Sequence, residues 1–185
     1  MINDVRHVER AEVIREKGTN RTRFYRGQVD KYTWCDVGSS YLPSDILAAY
    51  LLAQLESHDQ IQRRRHALWN RYFEALAPRA AAAGVRMPIV PEHCGHPAHI
   101  FYVLMPTLEA RTRLLASLRA QLILAVFHYL PLHLSEMGRR LGGRDGQFPV
   151  TESVCDRLVR LPIFYQLTDD DQARVIDAVS DAWSA

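Results

Sequence analysis

Few residues in this chain are placed to do chemistry. Of the 23 lysines and arginines only Lys17 and Lys31 are lysines, so a reaction that needs a lysine amine has two candidates. His93, Cys94, His96 and His99 fall within seven residues, and imidazole and thiolate are good zinc ligands. Pro91 and Pro97 frame that cluster in a turn whose spacing matches no standard zinc pattern, so a polar turn is the favoured reading and no metal is expected. A second group, His128-Tyr129-Leu130-Pro131-Leu132-His133, follows a run that reads as a strand. Side chains at a strand exit can be offered to a ligand, although a histidine there can equally be a satisfied structural one.

Two further patterns suit an anion or a base. Gly38-Ser39-Ser40-Tyr41 precedes a helix capped at Ser44, and hydroxyls with free backbone N–H groups at a helix start can hold a phosphate. Arg21, Arg23, Arg26 and Lys31 are interleaved with Phe24, Tyr25, Tyr32 and Trp34, a pattern that could bind a nucleotide by charge and stacking or simply form a solvated loop. The chain contains no GxGxxG, P-loop or GxSxG motif. Cys35, Cys94 and Cys155 are odd in number and far apart, so they form no disulfide framework, and a reducing cytoplasm is the expected setting.

The elements that must position these residues are those of a globular chain. Its 185 residues, 48% hydrophobic and 24% charged, can bury a core, and a formal net charge of +2 is too balanced to attract nucleic acid or a membrane surface by bulk electrostatics. No basic-then-apolar leader opens it and no run of about 18 apolar residues could span a bilayer, so a soluble protein is expected.

Residues 4–17 carry Val5, Val8, Ala11 and Ile14 at helical spacing, with Gly18 as a stop. Residues 19–42 keep no period and read as a long structured loop, because their aromatics argue against disorder. An apolar stripe from Leu47 to Leu76 predicts a spine helix over 44–77, on the order of 50 Å long unless it breaks near Ser57-His58-Asp59. Four of the nine prolines lie in 78–97, a connection in which Val85–Met87 is a candidate short strand. Ala98–Met105 and Leu122–Tyr129 then read as strands around a helix, 134–149 as a mobile surface loop, and Thr151 as the start of a short helix reaching Leu158. Thr168 with Asp171 opens a last helix on Val175, Ile176, Val179 and Trp183. The expected class is α+β, and the first 43 residues have no sheet of their own to pack against.

Taken together, EKGTNRTRFYRGQVDKYTWCDVGSSYLPSDILAAYLLAQLE (16–56), AHIFYVL (98–104), AVFHYLPLH (125–133) and RLPIFYQLT (160–168) resemble the DegT/DnrJ/EryC1/StrS sugar-nucleotide aminotransferases. The resemblance covers essentially the whole chain but only the C-terminal half of the family's length. It implies part of a fold type I aminotransferase that uses pyridoxal 5'-phosphate. Residues 1–43 would be a remnant of the large cofactor-binding domain, 44–84 the connecting spine and linker, and 85–185 the small C-terminal α/β domain. The family's Schiff-base lysine lies upstream of the matched segments, and neither Lys17 nor Lys31 matches its motif.

The implied reaction moves an amino group from glutamate to the C4 ketone of a dTDP-4-keto-6-deoxyhexose. Family members are homodimers with shared sites, in which the turn before the 44–56 helix reaches the partner's cofactor phosphate. Many relatives carry Asn and Arg there, where this chain has Ser40 and Leu42, so Ser40 is the cofactor-phosphate candidate. Lys31, Tyr32, Trp34, His99, His128, Tyr129 and His133 fall in segments that line the sugar-nucleotide side. The implied chain therefore contributes substrate and dimer contacts, and by itself performs no transamination. The competing expectations are a non-catalytic remnant that dimerises or binds a nucleotide sugar, and a binding module of unrelated function. Under the resemblance an isolated chain should self-associate, and proteolysis should trim 1–43 while sparing 85–185.

Overall fold

A computed structural model describes residues 2–184 and divides the chain into two compact units, one ending at Ser57 and one beginning at His58. In the first unit Asp4 accepts a hydrogen bond from the Arg6 backbone N–H at 2.9 Å and opens a 3-10 turn, Val5–His7, which runs into helix α1, Val8–Arg15. The expected stop is real. Gly18 adopts φ 73°, and a Cβ placed there would sit 1.7 Å from the Asp36 carbonyl oxygen, so only glycine allows the 33–38 segment to lie against it.

The segment expected as an irregular loop contains a short helix, α2, Arg21–Tyr25. Ion pairs Arg23–Glu9 and Arg26–Glu12 tie α2 to α1. Helix α3, Asp45–Glu56, starts where the sequence predicts, with the Ser44 hydroxyl accepting from the Leu47 N–H at 3.3 Å. It is apolar on every side and yet has no buried residue; among the described residues of this unit only Gly18 is buried.

The expected spine is two helices. The break falls at Ser57, and α4, His58–Ala80, belongs to the second unit, where it buries Leu68, Trp69, Tyr72, Leu76 and Ala80 as one stripe. Strand β1, Phe101–Leu104, is followed by α5, Leu108–Ala120, capped by the Thr107 hydroxyl, and by the short strand β2, Val126–Phe127. Residues 85–87 contribute one bridge, Arg86 to Leu104, rather than a strand.

Where a mobile loop is expected, a 3-10 turn, Leu132–Leu134, leads to α6, Glu136–Arg140. The α6 backbone presses on that turn so closely that a Cβ on Gly138 would lie 2.0 Å from the Leu132 carbonyl oxygen. Helix α7, Pro149–Arg157, ends before Leu158. Leu158 instead opens β3, Leu158–Leu161, a strand that the sequence reading misses. Helix α8, Asp169–Ser184, begins at Thr168, whose hydroxyl accepts from the Asp171 N–H at 3.1 Å.

The missed strand is the centre of the sheet. The order is β1-β3-β2, antiparallel throughout, so the two strands expected from the sequence lie on either side of β3 and do not pair with each other. Alternation sorts the residues by face. Phe101, Val103, Val159 and Leu161 are buried in the core with residues of α4, α5 and α8. Tyr102, Arg160 and Val126 form a row across the other face and stay half-exposed. No helix among the described residues is long and apolar enough to cross a membrane.

Two polar groups of the core are anchored by long-range hydrogen bonds. The Gln172 side-chain amide donates to the Leu68 carbonyl at 2.6 Å, and the Tyr72 hydroxyl donates to the Pro162 carbonyl at 2.8 Å. Burial pushes the Tyr72 phenol well above its ordinary pKa, so it remains a donor at any working pH. Tyr72→Phe should therefore cost about 1–2 kcal/mol in urea denaturation by orphaning that carbonyl. An unchanged midpoint would show that water replaces the hydroxyl.

Candidate functional site

The half-exposed sheet face forms the floor of a cavity of about 450 Å³, walled by the proline-rich segment 88–100. Tyr102 and Arg160 come from the sheet, His128 from the chain just beyond β2, Trp69 from α4, and His96 and His99 from the wall. The His96 ring lies 4.7 Å from Trp69 and 4.9 Å from His66. Burial, and then the nearby His66, hold the His96 imidazole below its ordinary pKa, so it is neutral at pH 7.

His99 and His128, both expected as substrate contacts, therefore share one cavity. Nδ1 of His128 is buried without a partner. Tyr129 is exposed, with its ring 5.4 Å from that of His128 and 5.6 Å from the Arg160 guanidinium carbon. It lines an adjoining hollow with Leu130 and Cys155, and the Cys155 thiol donates to its carbonyl.

His133 is bound elsewhere. Its Nε2 lies 2.9 Å from Glu152, which also accepts from the Gly146 and Phe148 backbone N–H groups at 2.9 and 3.1 Å. An ionised carboxylate only accepts, so His133 is the donor, and its ring packs edge-on against Phe148. In this arrangement it pins α7 to the 3-10 turn.

The same three donors, His133 first and then the two amides, hold the Glu152 carboxyl below its ordinary pKa. A carboxylate pKa that is depressed in the folded chain contributes stability above the unfolded value and loses it as pH falls through the folded one. Amide exchange at Gly146 and Phe148 should thus stay slow down to the ordinary glutamate range and accelerate on further acidification. Exchange that ignores pH across that window, after correction for its intrinsic rate, would show the clamp to be without effect.

In the first unit the other candidates are placed separately. Lys31, Tyr32, Trp34 and Ser40 are all exposed. Tyr32 packs edge-on against Phe24 at 5.6 Å, with Arg21 over its ring at 5.7 Å, so charge and aromatic faces do interleave there. The Trp34 indole N–H donates to the Asp36 carbonyl at 2.6 Å, and Ser40 pairs with Glu16 through an isolated bridge.

Lys17, at φ 59°, is exposed as well. A lysine that carries a carbonyl cofactor must be enclosed and desolvated to act as a nucleophile near neutral pH. Lys17 and Lys31 are both exposed among the described residues. No set of three or more His, Cys, Asp or Glu residues converges on a point among the described residues.

Arg160 is the residue that sequence reasoning overlooks. Its signals are its place at the head of the family-like segment 160–168 and the alternation in Leu158-Val159-Arg160-Leu161, which is too short to separate a strand from the end of a helix.

Against known proteins, the chain belongs to the DegT/DnrJ/EryC1/StrS aminotransferase family, whose model matches residues 1–180. It is 28% identical over 165 residues to a dTDP-3-amino-3,4,6-trideoxy-alpha-D-glucose transaminase from Micromonospora megalomicea subsp. nigra, covering 88% of this chain and 43% of that one. Among solved structures, S. venezuelae DesV in complex with a ketimine intermediate matches with TM-score 0.86 and 27% identity, over 100% of this chain and 46% of that chain. The PLP form of the putative sugar aminotransferase Spr1654 from Streptococcus pneumoniae matches with TM-score 0.84 at 19% identity, over 99% of this chain and 45% of that one, and so shares the fold. The chain spans a little under half the length of these relatives.

Proposed function

We propose that this chain is the C-terminal portion of a pyridoxal-phosphate-dependent sugar-nucleotide aminotransferase. Its complete form moves an amino group from glutamate to the C4 ketone of a dTDP-4-keto-6-deoxyhexose, as a dTDP-4-amino-4,6-dideoxygalactose transaminase does. When bound, the cofactor supplies the electron sink for the proton shifts of the exchange. The lysine that holds it comes from protein outside these residues. Ser40 meets the cofactor phosphate of a partner protomer, and Lys31, Tyr32, Trp34, His99, His128 and Tyr129 line the nucleotide-sugar side, while His133 holds α7 through Glu152. Residues 1–43 act as a piece of the large domain, 44–84 as the connector and 85–185 as the small domain.

The observation that supports this most is the match along 1–180 to proteins about twice as long, joined to a fold that superposes on DesV throughout. The exposure of Lys17 and Lys31 supports the division of labour.

The test is co-expression with a lysine-bearing N-terminal half. The reading expects a coloured complex that binds pyridoxal phosphate and aminates a dTDP-4-keto-6-deoxyhexose with glutamate. A soluble but colourless and inert pair would make the chain a non-catalytic remnant.

A further inference from the structure

Among the groups that line the cavity on the sheet face, Arg160 is the one whose charge has no counterpart. It belongs to no ion pair among the described residues, and no carboxylate lines the cavity. Its Nε is buried with no hydrogen-bond partner, and a terminal nitrogen makes only a long contact, 3.4 Å, with the Phe127 carbonyl. Four other arginines of this unit are paired, Arg64 and Arg71 with Asp169, Arg139 with Asp145 and Arg140 with Glu136, whereas Arg111 shares with Arg160 a buried Nε without a partner but does not line the cavity. A half-buried guanidinium left without an anion is costly, and the cost disappears when an anion fills the gap.

The surroundings say what kind of anion. The Arg160 guanidinium carbon lies 5.6 Å from the centre of the Tyr129 ring, within cation–π range, and its terminal nitrogens are the ones left for a bidentate acceptor. His128 and His99 stand on the same cavity and add N–H donors. The remaining wall, with Trp69, Pro88 and Ile89, is apolar and suits the uncharged part of a ligand. A space of about 450 Å³ is within the range that holds a small molecule.

We propose that Arg160 is the anion-recognition residue of this cavity and that it takes the diphosphate of the nucleotide sugar, with His128 and His99 as flanking donors. The identity of the ligand rests on the function proposed above, whereas the anion site rests on the structure alone.

The test uses the full chain at low ionic strength with three probes: inorganic pyrophosphate, dTDP and glutamate. Arginine modification by phenylglyoxal is mapped by mass spectrometry. Pyrophosphate and dTDP should each slow labelling of Arg160 at least about fivefold, while exposed Arg119 changes by less than about twofold and glutamate protects neither. In equilibrium dialysis Arg160→Gln should weaken pyrophosphate binding at least about tenfold, with Arg119→Gln as the control. Should Arg160→Gln lose its circular dichroism, the protection measured on the unaltered chain decides.

Pyrophosphate that fails to bind, or binds without shielding Arg160, overturns the anion site, and equal protection by glutamate overturns its assignment to a diphosphate. Protection by pyrophosphate but not by dTDP keeps the anion site and removes the nucleotide sugar. Saturable dTDP binding that leaves Arg160 open keeps the nucleotide sugar and removes this residue.

Discussion

Phe101→Ala should lower the stability of the second unit by about 3–5 kcal/mol, the largest single-residue effect expected in this chain. Phe101 is fully buried on the core face of β1, opposite Leu161 in the register. Its ring lies 5.4 Å from Trp69 and 5.0 Å from Tyr72, so truncation removes the aromatic cluster that joins α4 to the sheet. The domain cannot close that gap without moving β1, because β1 is hydrogen-bonded along its length to β3. A unit of this size has about 5–15 kcal/mol in total, so the variant should approach its midpoint in little urea. Tyr102→Ala, one residue along on the open face, should cost less than half as much. Equal costs for the two would show that the sheet is covered on both sides and that the cavity does not exist as described.

The second large effect concerns α3. Ile46, Leu47, Tyr50, Leu51, Leu52 and Leu55 are all more than half exposed, which leaves the helix without a dry side. A helix apolar all round is stable in water only when something covers it, and continuous apolar surface of this kind drives association. The chain alone should therefore self-associate. Leu51→Glu with Leu55→Glu removes two leucines one turn apart, each worth at least about 1.5 kcal/mol when buried, and should weaken the association at least about 100-fold. Sedimentation velocity across a dilution series reads this directly, while the melting of the second unit should not move. A chain that sediments as a monomer at high concentration would contradict the expectation.

How far these features could be read from sequence depended on whether their cause was local. Helix starts at Ser44 and Thr168 were legible because a cap and its target amide lie three residues apart. The α4 stripe was legible because Leu68, Trp69, Tyr72 and Leu76 repeat at helical spacing. Even the break in the expected spine was visible, in the polar Ser57-His58-Asp59.

Pairings across distance were not legible. β3 holds four residues, and what makes Leu158–Leu161 a strand is the presence of β1 and β2 on both its sides. Arg160 acquires its setting from Tyr102 and Val126, which are its cross-strand partners. His128 and His133 look alike in the sequence, but Glu152, 19 residues downstream of His133, separates a cavity-lining imidazole from a structural one. The segment 134–149 looked unstructured because its order comes from close backbone contact at Gly138 and from the same carboxylate.

The proposed function turns on where the reactive amine resides. The measurement that addresses it is borohydride reduction of the complex between this chain and a lysine-bearing N-terminal half loaded with pyridoxal phosphate, followed by peptide mapping. The pyridoxyl label should appear on the N-terminal half alone, and this chain, reduced by itself with the cofactor, should carry no stoichiometric label. A full equivalent of label on Lys17 or Lys31, accompanied by amino-group transfer, would contradict the account.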